Sequence, residues 1–311
     1  MPQASARRAG RARLRPPRPG RGPPRRRGGR GRVAWATPAA RAVLARLARF
    51  VPAPVVRLAS RAMVWAPALR APLERVAGAV ASGEGVIQRG VGRGLRFRAD
   101  VPIAGYRLGT TEPEFQRALA GHVGRGDVVY DLGANVGFYT VICARLVGPE
   151  GRVVAVEPFP DSARAVRHNA ALNGFEHVEV VEAAVAGAPG RGWLATAGGD
   201  TVTFRLDGER RSGGLDVDLT TVDALVEAGH PAPTVVKVDV EGHEVAALHG
   251  MARTLATSRP VVLVEVHYAV ADFPDAVAEV AGPLGYRASV LGGGDLPRGG
   301  VRAHVVLEPR G

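Results

Sequence analysis

The stretch Val128-Val129-Tyr130-Asp131-Leu132-Gly133-Ala134-Asn135-Val136-Gly137-Phe138-Tyr139-Thr140 decides the fold. It opens as an apolar strand, reaches an acid at Asp131, turns through Gly133, Asn135 and Gly137, and continues as an apolar helix. Glycines at such a turn let the backbone come close to a ligand, and the helix that follows offers N–H groups to an anion. A second apolar run, Arg152–Val156, leads to Glu157, twenty residues beyond Gly137. An acid at the end of the second strand can accept hydrogen bonds from both hydroxyls of a ribose. Loop and acid together imply a ligand that contains a nucleoside.

Outward from this unit the chain alternates. The pattern predicts helices over 138–146 and 161–173 around the strand Arg152–Val156, then a strand over 178–182. A polar stretch follows, then a short helix over 221–228, a strand over 234–240, a helix over 244–256, a strand over 260–267 and a helix over 274–281. Two last strands, 286–291 and 301–307, flank Gly292-Gly293-Gly294. Repeated strand–helix units predict an α/β, Rossmann-like fold: a mostly parallel seven-stranded sheet with helices on both faces and an antiparallel hairpin at one edge. Upstream, Val86, Gln88, Val91, Leu95, Phe97, Val101, Ile103 and Tyr106 alternate between Gly-rich breaks. That alternation predicts short antiparallel strands over 86–109. A helix over 112–123 opens at Thr111 and Pro113.

Spacing narrows the ligand. The dinucleotide fingerprint G-x-G-x-x-G needs a second glycine so that the backbone can meet a pyrophosphate. Here that position is Asn135, and the last glycine comes one residue early. The turn therefore disfavours a NAD-type oxidoreductase and suits a cofactor without phosphate, as S-adenosylmethionine is.

Further segments narrow it again. Residues 131–139 (DLGANVGFY), Val156-Glu157-Pro158, Asn169 with Asn173, residues 221–225, residues 237–244 (KVDVEGHE) and residues 260–267 resemble the FkbM family of class I methyltransferases. The resemblance covers roughly residues 105–270, and DVEGHE at 239–244 is its most specific part. It implies an S-adenosylmethionine-dependent O-methyltransferase acting on a hydroxyl of a sugar, glycan or natural product. It also implies that Asp131, Gly133, Asn135 and Gly137 line the methionine end of the cofactor. Glu157 would hold its ribose, and Glu182 and Ala183 would lie near its adenine.

A hydroxyl acceptor gains from a base, typically by ~10²–10⁴-fold. Asp239, Glu241, His243 and His267 all fall at carboxyl ends of strands, where open α/β sheets bind ligands. His243 is the first expectation for the base, because imidazole takes a proton near neutral pH. Asp239 and Glu241 are expected to touch cofactor or substrate. The same side chains have the chemistry of a magnesium or manganese site. Spacing fixes no geometry for one, and no metal is assigned from it.

Charge is unevenly spread. Residues 1–32 carry twelve Arg and no acid, residues 33–80 sum to +6, and the whole chain to +12, so residues 81–311 sum to −6. Residues 1–32, rich in Arg, Pro and Gly, are expected to be a disordered tail that cannot offset its ordering entropy. The alternative is that synthesis begins near Val33 or Met63. Residues 33–80 are expected to form a basic amphipathic helical segment. Within it, residues 38–66 either dock on the domain or make peripheral contact with an anionic membrane. Residues 81–125 are expected to precede the core, and residues 126–311 to form the cofactor-binding domain. The tail offers a second reading, an RNA or other nucleic-acid methyltransferase. Against it stand the acidic domain and the absence of a stacking ring after the fourth strand, where the loop reads DVEG. Cys143 is the only cysteine, no apolar run approaches the ~20 residues of a membrane span, and the start lacks a signal-peptide core. These features point to the cytoplasm. Oligomeric state is left open.

Overall fold

The computed structural model describes residues 83–99, 104–196, 204–206, 214–267 and 270–310. The tail and helical segment expected over 1–32 and 33–80 lie outside them. All described residues belong to one compact unit, 36–311.

In chain order the elements begin with β1 (Gly83–Val86), β2 (Arg96–Ala99), α1 (Ala104–Leu108) and α2 (Pro113–His122). The Rossmann-like core starts with β3 (Val128–Leu132), α3 (Phe138–Val147), β4 (Arg152–Val156), α4 (Pro160–Leu172) and β5 (Val178–Val181). An insertion follows: β6 (Ala184–Val185), β7 (Gly190–Thr196), β8 (Phe204–Leu206) and β9 (Leu215–Thr220). The core resumes with α5 (Val222–Glu227), β10 (Val235–Val238), α6 (Glu244–His249), α7 (Ala252–Thr257), β11 (Val261–Val266) and α8 (Phe273–Ala276). It closes with β12 (Tyr286–Val290) and β13 (Ala303–Pro309).

Seven strands form the main sheet in the order β12-β13-β11-β10-β3-β4-β5. The five strands from β11 to β5 pair in parallel, and β13 runs antiparallel to both β11 and β12. This is the Rossmann-like topology, a mostly parallel seven-stranded sheet with an antiparallel edge hairpin, that the alternation predicts. Period-two patterning divides the core. Tyr130, Leu132, Val154, Val156, Val236 and Val238 face one helix layer, where Leu225, Leu248, Leu255 and Phe273 pack. Val129, Val153, Val235 and Leu263 face the other, with Phe138, Val141, Ile142 and Phe115. Strands buried on both faces must read as unbroken apolar runs, as these do. The two central strands, β3 and β10, carry Asp131 and Lys237 as exceptions.

Four sequence expectations change. An antiparallel pair does form, but β1 (Gly83–Val86) lies almost wholly before the expected range 86–109, only β2 falls inside it, and Tyr106 sits on the helix α1. The helix over 244–256 is two, α6 and α7, broken at Gly250. A Cβ there would stand 2.6 Å from the carbonyl oxygen of Ala186, so the chain bends to let these backbones meet. The helix over 274–281 is α-helical only to Ala276 and continues as a wider turn over Val277–Ala281. The polar stretch after β5 is a small sheet of its own, ordered β6-β9-β7-β8.

Asn169 and Asn173, one turn apart on α4, tie β2 to the core. Asn169 accepts from Arg98 N–H at 2.7 Å and donates to the carbonyls of Arg98 and Val136 at 2.9 and 2.8 Å. Asn173 accepts from Arg96 N–H at 2.8 Å and donates to its carbonyl at 2.8 Å. The pair thus offers β2 what a neighbouring strand would. Asn169 is fully buried, so Asn169→Ala leaves three backbone groups without that partner. The expected cost is about 1–3 kcal/mol, because each stranded group forfeits its solvation. Urea unfolding should show a smaller loss for Asn173→Ala, which lies nearer solvent; equal stability of Asn169→Ala and the parent chain would refute the bridging role.

Candidate functional site

The carboxyl ends of β3, β4 and β10 surround an open cavity. Its apolar wall is Val156, Pro158, Ala183, Ala184, Val185 and Leu194, and its polar rim is Asn135, Glu157, Asp239, Glu241 and His243. Gly133 completes it, with φ at +76°, and a Cβ there would stand 1.8 Å from the Asp239 carbonyl oxygen. Only glycine lets the loops after β3 and β10 touch in this way.

Glu157 is almost fully buried. Its two carboxylate oxygens accept N–H bonds from Asn135 at 2.8 Å and Phe159 at 2.9 Å. A carboxylate has about four lone-pair sites, so two remain for a pair of vicinal hydroxyls. Burial pushes this carboxyl up to about 7, against the downward pull of the two N–H bonds and of Lys237. The turn itself is closed on the protein. Gly133 and Ala134 donate to the Val156 carbonyl, Asn135 to Glu157, and Gly137 to the Ala134 carbonyl. These N–H groups are spent internally, so the turn is a poor cradle for a diphosphate.

Behind the cavity lies a buried ion pair. Lys237 Nζ is 2.9 Å from Asp131 Oδ1 and 3.5 Å from Asp239 Oδ2. It also donates to the Gly133 carbonyl at 2.9 Å. Asp131 accepts from Thr140 Oγ1 on α3 at 2.6 Å. Burial alone would lower Lys237; Asp131 and Asp239 reverse that and raise it above the usual lysine value.

On the far side of Asp239 the carboxyl end of β11 brings up Glu265 and His267. His267 Nδ1 meets Glu244 Oε1 at 2.7 Å, while its Nε2 lies 3.2 Å from Glu241 Oε2 and 3.7 Å from Asp239 Oδ1. Burial would lower His267, but the Glu244 bond and the charges of Glu241 and Asp239 hold it above its ordinary value. Glu112, at the start of α2, accepts from Tyr139 Oη at 2.7 Å and from Arg302 at 2.9 Å. Arg302 also pairs with Glu265.

A family model described as the methyltransferase FkbM domain matches residues 131–287. The chain belongs to the FkbM methyltransferase family. Hexuronic acid methyltransferase AglP of Haloferax volcanii is 32% identical over 168 residues, 51% of this chain and 64% of its own length. The chain therefore spans less than two thirds of that relative. A protein-L-isoaspartate O-methyltransferase of Aeropyrum pernix is 44% identical over 57 residues, 18% of this chain and 22% of its own. A solved FkbM methyltransferase from Methylobacillus flagellatus shares 16% identity at a TM-score of 0.41, over 58% of this chain and 43% of that one.

Of the residues expected from sequence at this FkbM-family site, Gly133, Asn135, Glu157, Ala183, Asp239, Glu241 and His243 line one cavity. Asp131 lies behind its wall. Gly137, at φ +85°, starts α3 against Val166. Glu182 is placed elsewhere, at the surface in an ion pair with Arg167 at 2.5 Å. His243 begins α6 without a side-chain capping bond. Sequence reasoning missed Lys237, Glu244, Glu265, Glu112 and Arg302. One signal was available: in a chain with 41 Lys and Arg, Lys237 is the only lysine.

Two outcomes are expected. Affinity for S-adenosylhomocysteine by calorimetry should be level above pH 7 and fall roughly tenfold per pH unit below it, as Glu157 takes a proton. Glu157→Gln should weaken binding and flatten that dependence; a parent profile flat from pH 5 to 8 would count against the ribose role. Lys237→Met should cost about 3–5 kcal/mol in urea unfolding, because it strands a buried carboxylate.

Proposed function

We propose that this chain is an S-adenosylmethionine-dependent O-methyltransferase whose acceptor is a hydroxyl or carboxyl oxygen of a sugar, with a uronic acid as the leading class. The observation that carries this is one cavity shared by the cofactor-side residues Gly133, Asn135, Glu157 and Ala183 and by the reactive wall Asp239, Glu241 and His243. The name of the relative AglP supports the uronic acid class.

When bound, S-adenosylmethionine supplies an electrophilic methyl on a sulfonium. Glu157 holds the ribose hydroxyls, and Pro158, Ala183, Val185 and Leu194 hold the base. Asp131 acts through Lys237, which fixes the Gly133 carbonyl and the Asp239 carboxylate. Holding two reactants in line supplies an effective molarity of ~10⁵–10⁸ M. The apolar wall keeps water from the reacting methyl. His243 would take the proton of an acceptor hydroxyl as that oxygen receives the methyl the cofactor would supply. Asp239 and Glu241 orient the acceptor.

We place the enzyme in the cytoplasm. Its one cysteine is buried, and among the described residues no helix is long and apolar enough to cross a membrane. We read residues 1–32 and 33–80 as appendages to the catalytic domain, with peripheral membrane contact assigned, if anywhere, to 38–66.

The test is transfer of labelled methyl from S-adenosylmethionine to a panel of uronic acids, neutral hexosides, natural-product alcohols and RNA. Label is expected in the uronic acid arm. Label confined to RNA, and lost on deletion of residues 1–32, would establish the nucleic-acid reading instead. Heat on titration with NAD and none with S-adenosylhomocysteine would overturn the cofactor. With a working acceptor, His243→Ala should lower kcat by ~10²–10⁴-fold with little change in the affinity for S-adenosylhomocysteine.

A further inference from the structure

Two sets of metal-type ligands meet at Glu265. Glu112, Glu265 and His304 each bring one ligand atom within 4.8 Å of the others, and so do Asp239, Glu265 and His267. The first set is already answered by a cation, because Arg302 contacts both Glu112 and Glu265. The second shares Arg302 through Glu265, and its Asp239 has Lys237 beside it. That ammonium is 2.9 Å from Asp131 and from the Gly133 carbonyl, and reaches Asp239 at no closer than 3.5 Å.

The imidazole is oriented as a ligand would be. Glu244, fully buried, accepts from the Gly242 N–H at 3.0 Å and holds His267 Nδ1 at 2.7 Å. A proton on Nδ1 leaves the Nε2 lone pair facing Glu241 at 3.2 Å and Asp239 at 3.7 Å. A lone pair set against two carboxylates is repulsive unless something positive lies between them. Metal-bound histidines almost always donate their other ring N–H to a carboxylate, carbonyl or water, and Glu244 stands in that place. Glu265 supplies the independent sign. It is only 1% exposed, and its Oε1 forms an ion pair with Arg302, with His304 3.9 Å away, but accepts no hydrogen bond.

We propose that Asp239, Glu265 and His267 hold one divalent cation at the edge of the cofactor cavity. Two carboxylates and one imidazole suit manganese and its neighbours in the first transition row. Asp239 lines the cavity, so the open positions on the ion face the space where an acceptor would lie. An acceptor oxygen bound there is oriented and loses its proton more readily to His243. The use of the ion in methyl transfer rests on the function proposed above. Its binding does not.

The test is titration of the full chain, freed of metal by a chelator, with MnCl2, following free Mn2+ by electron paramagnetic resonance. One saturable site per chain is expected at sub-millimolar Mn2+. His267→Gln and Glu265→Gln should each weaken it by roughly tenfold or more, and Glu244→Gln by ~10–100-fold through loss of orientation. Arg302→Ala should leave the affinity unchanged or tighten it, because a competing cation is removed. Calorimetry with S-adenosylhomocysteine shows which variants are folded. Should Glu265→Gln fail to fold, His267→Gln and Arg302→Ala decide. The proposal is overturned if no saturable site appears, which would leave a proton on Nε2 as the positive charge, or if His267→Gln binds Mn2+ like the parent. Loss of S-adenosylhomocysteine binding by the parent would instead count against the cofactor cavity and leave the metal result standing.

Discussion

The Lys237–Asp131 pair is the constraint around which the site is built. The two residues are register partners on the adjacent central strands β10 and β3, both buried to within a few per cent. An ammonium in that position is tolerable only because four oxygens surround it: Asp131, Asp239 and the carbonyls of Leu132 and Gly133. The same contacts fix what the site needs fixed. The Gly133 carbonyl sets the cofactor turn, Asp239 sets the loop after β10, and Asp131 reaches Thr140 to set the start of α3. Replacing such a pair by apolar groups is often neutral for stability. Its presence here is better explained by orientation than by strength.

That constraint accounts for the lone lysine. A guanidinium is a planar fork suited to paired acceptors in one plane. The oxygens around position 237 come from two strands and a loop, and a compact ammonium with three donors can meet them. A composition that replaces lysine by arginine almost everywhere else stops at the position where the larger group does not serve.

Strain gathers at the same place. Among the described residues four non-glycine residues have φ near +45°, and Glu112, Asn135 and Glu241 border the cavity or the acid cluster beside it. Left-handed backbone at such residues costs roughly 1–3 kcal/mol and persists only where surroundings over-determine it. Asn135 is held by its N–H bond to Glu157, and Glu112 by Tyr139 and Arg302. Part of this was legible in the sequence. Asn135 and Glu157 declared themselves by spacing, and β3, β4, β10 and β11 by largely apolar runs. The rest depends on distance in space. Glu182 is one residue from a cavity-lining position, but the end of β5 turns it toward Arg167. Gly250 breaks a helix because Ala186, far off in sequence, needs the room. Glu265 on β11 and His267 just past its end share one parity, yet nothing local says that Glu244 will turn the imidazole toward Asp239.

The choice of cofactor follows from how the turn satisfies itself. In a dinucleotide site the N–H groups after the first strand are left for phosphate oxygens. Here Gly133 and Ala134 give theirs to the Val156 carbonyl, and Asn135 gives its own to Glu157. The carboxylate thereby does two jobs. It closes the turn against anions, and it keeps two lone-pair sites unused. A diphosphate would have to break the Asn135–Glu157 bond and then sit beside the freed carboxylate, two penalties of the same sign. A sulfonium brings a positive charge to a rim lined by Asp239 and Glu241, so the electrostatics that reject the one ligand favour the other.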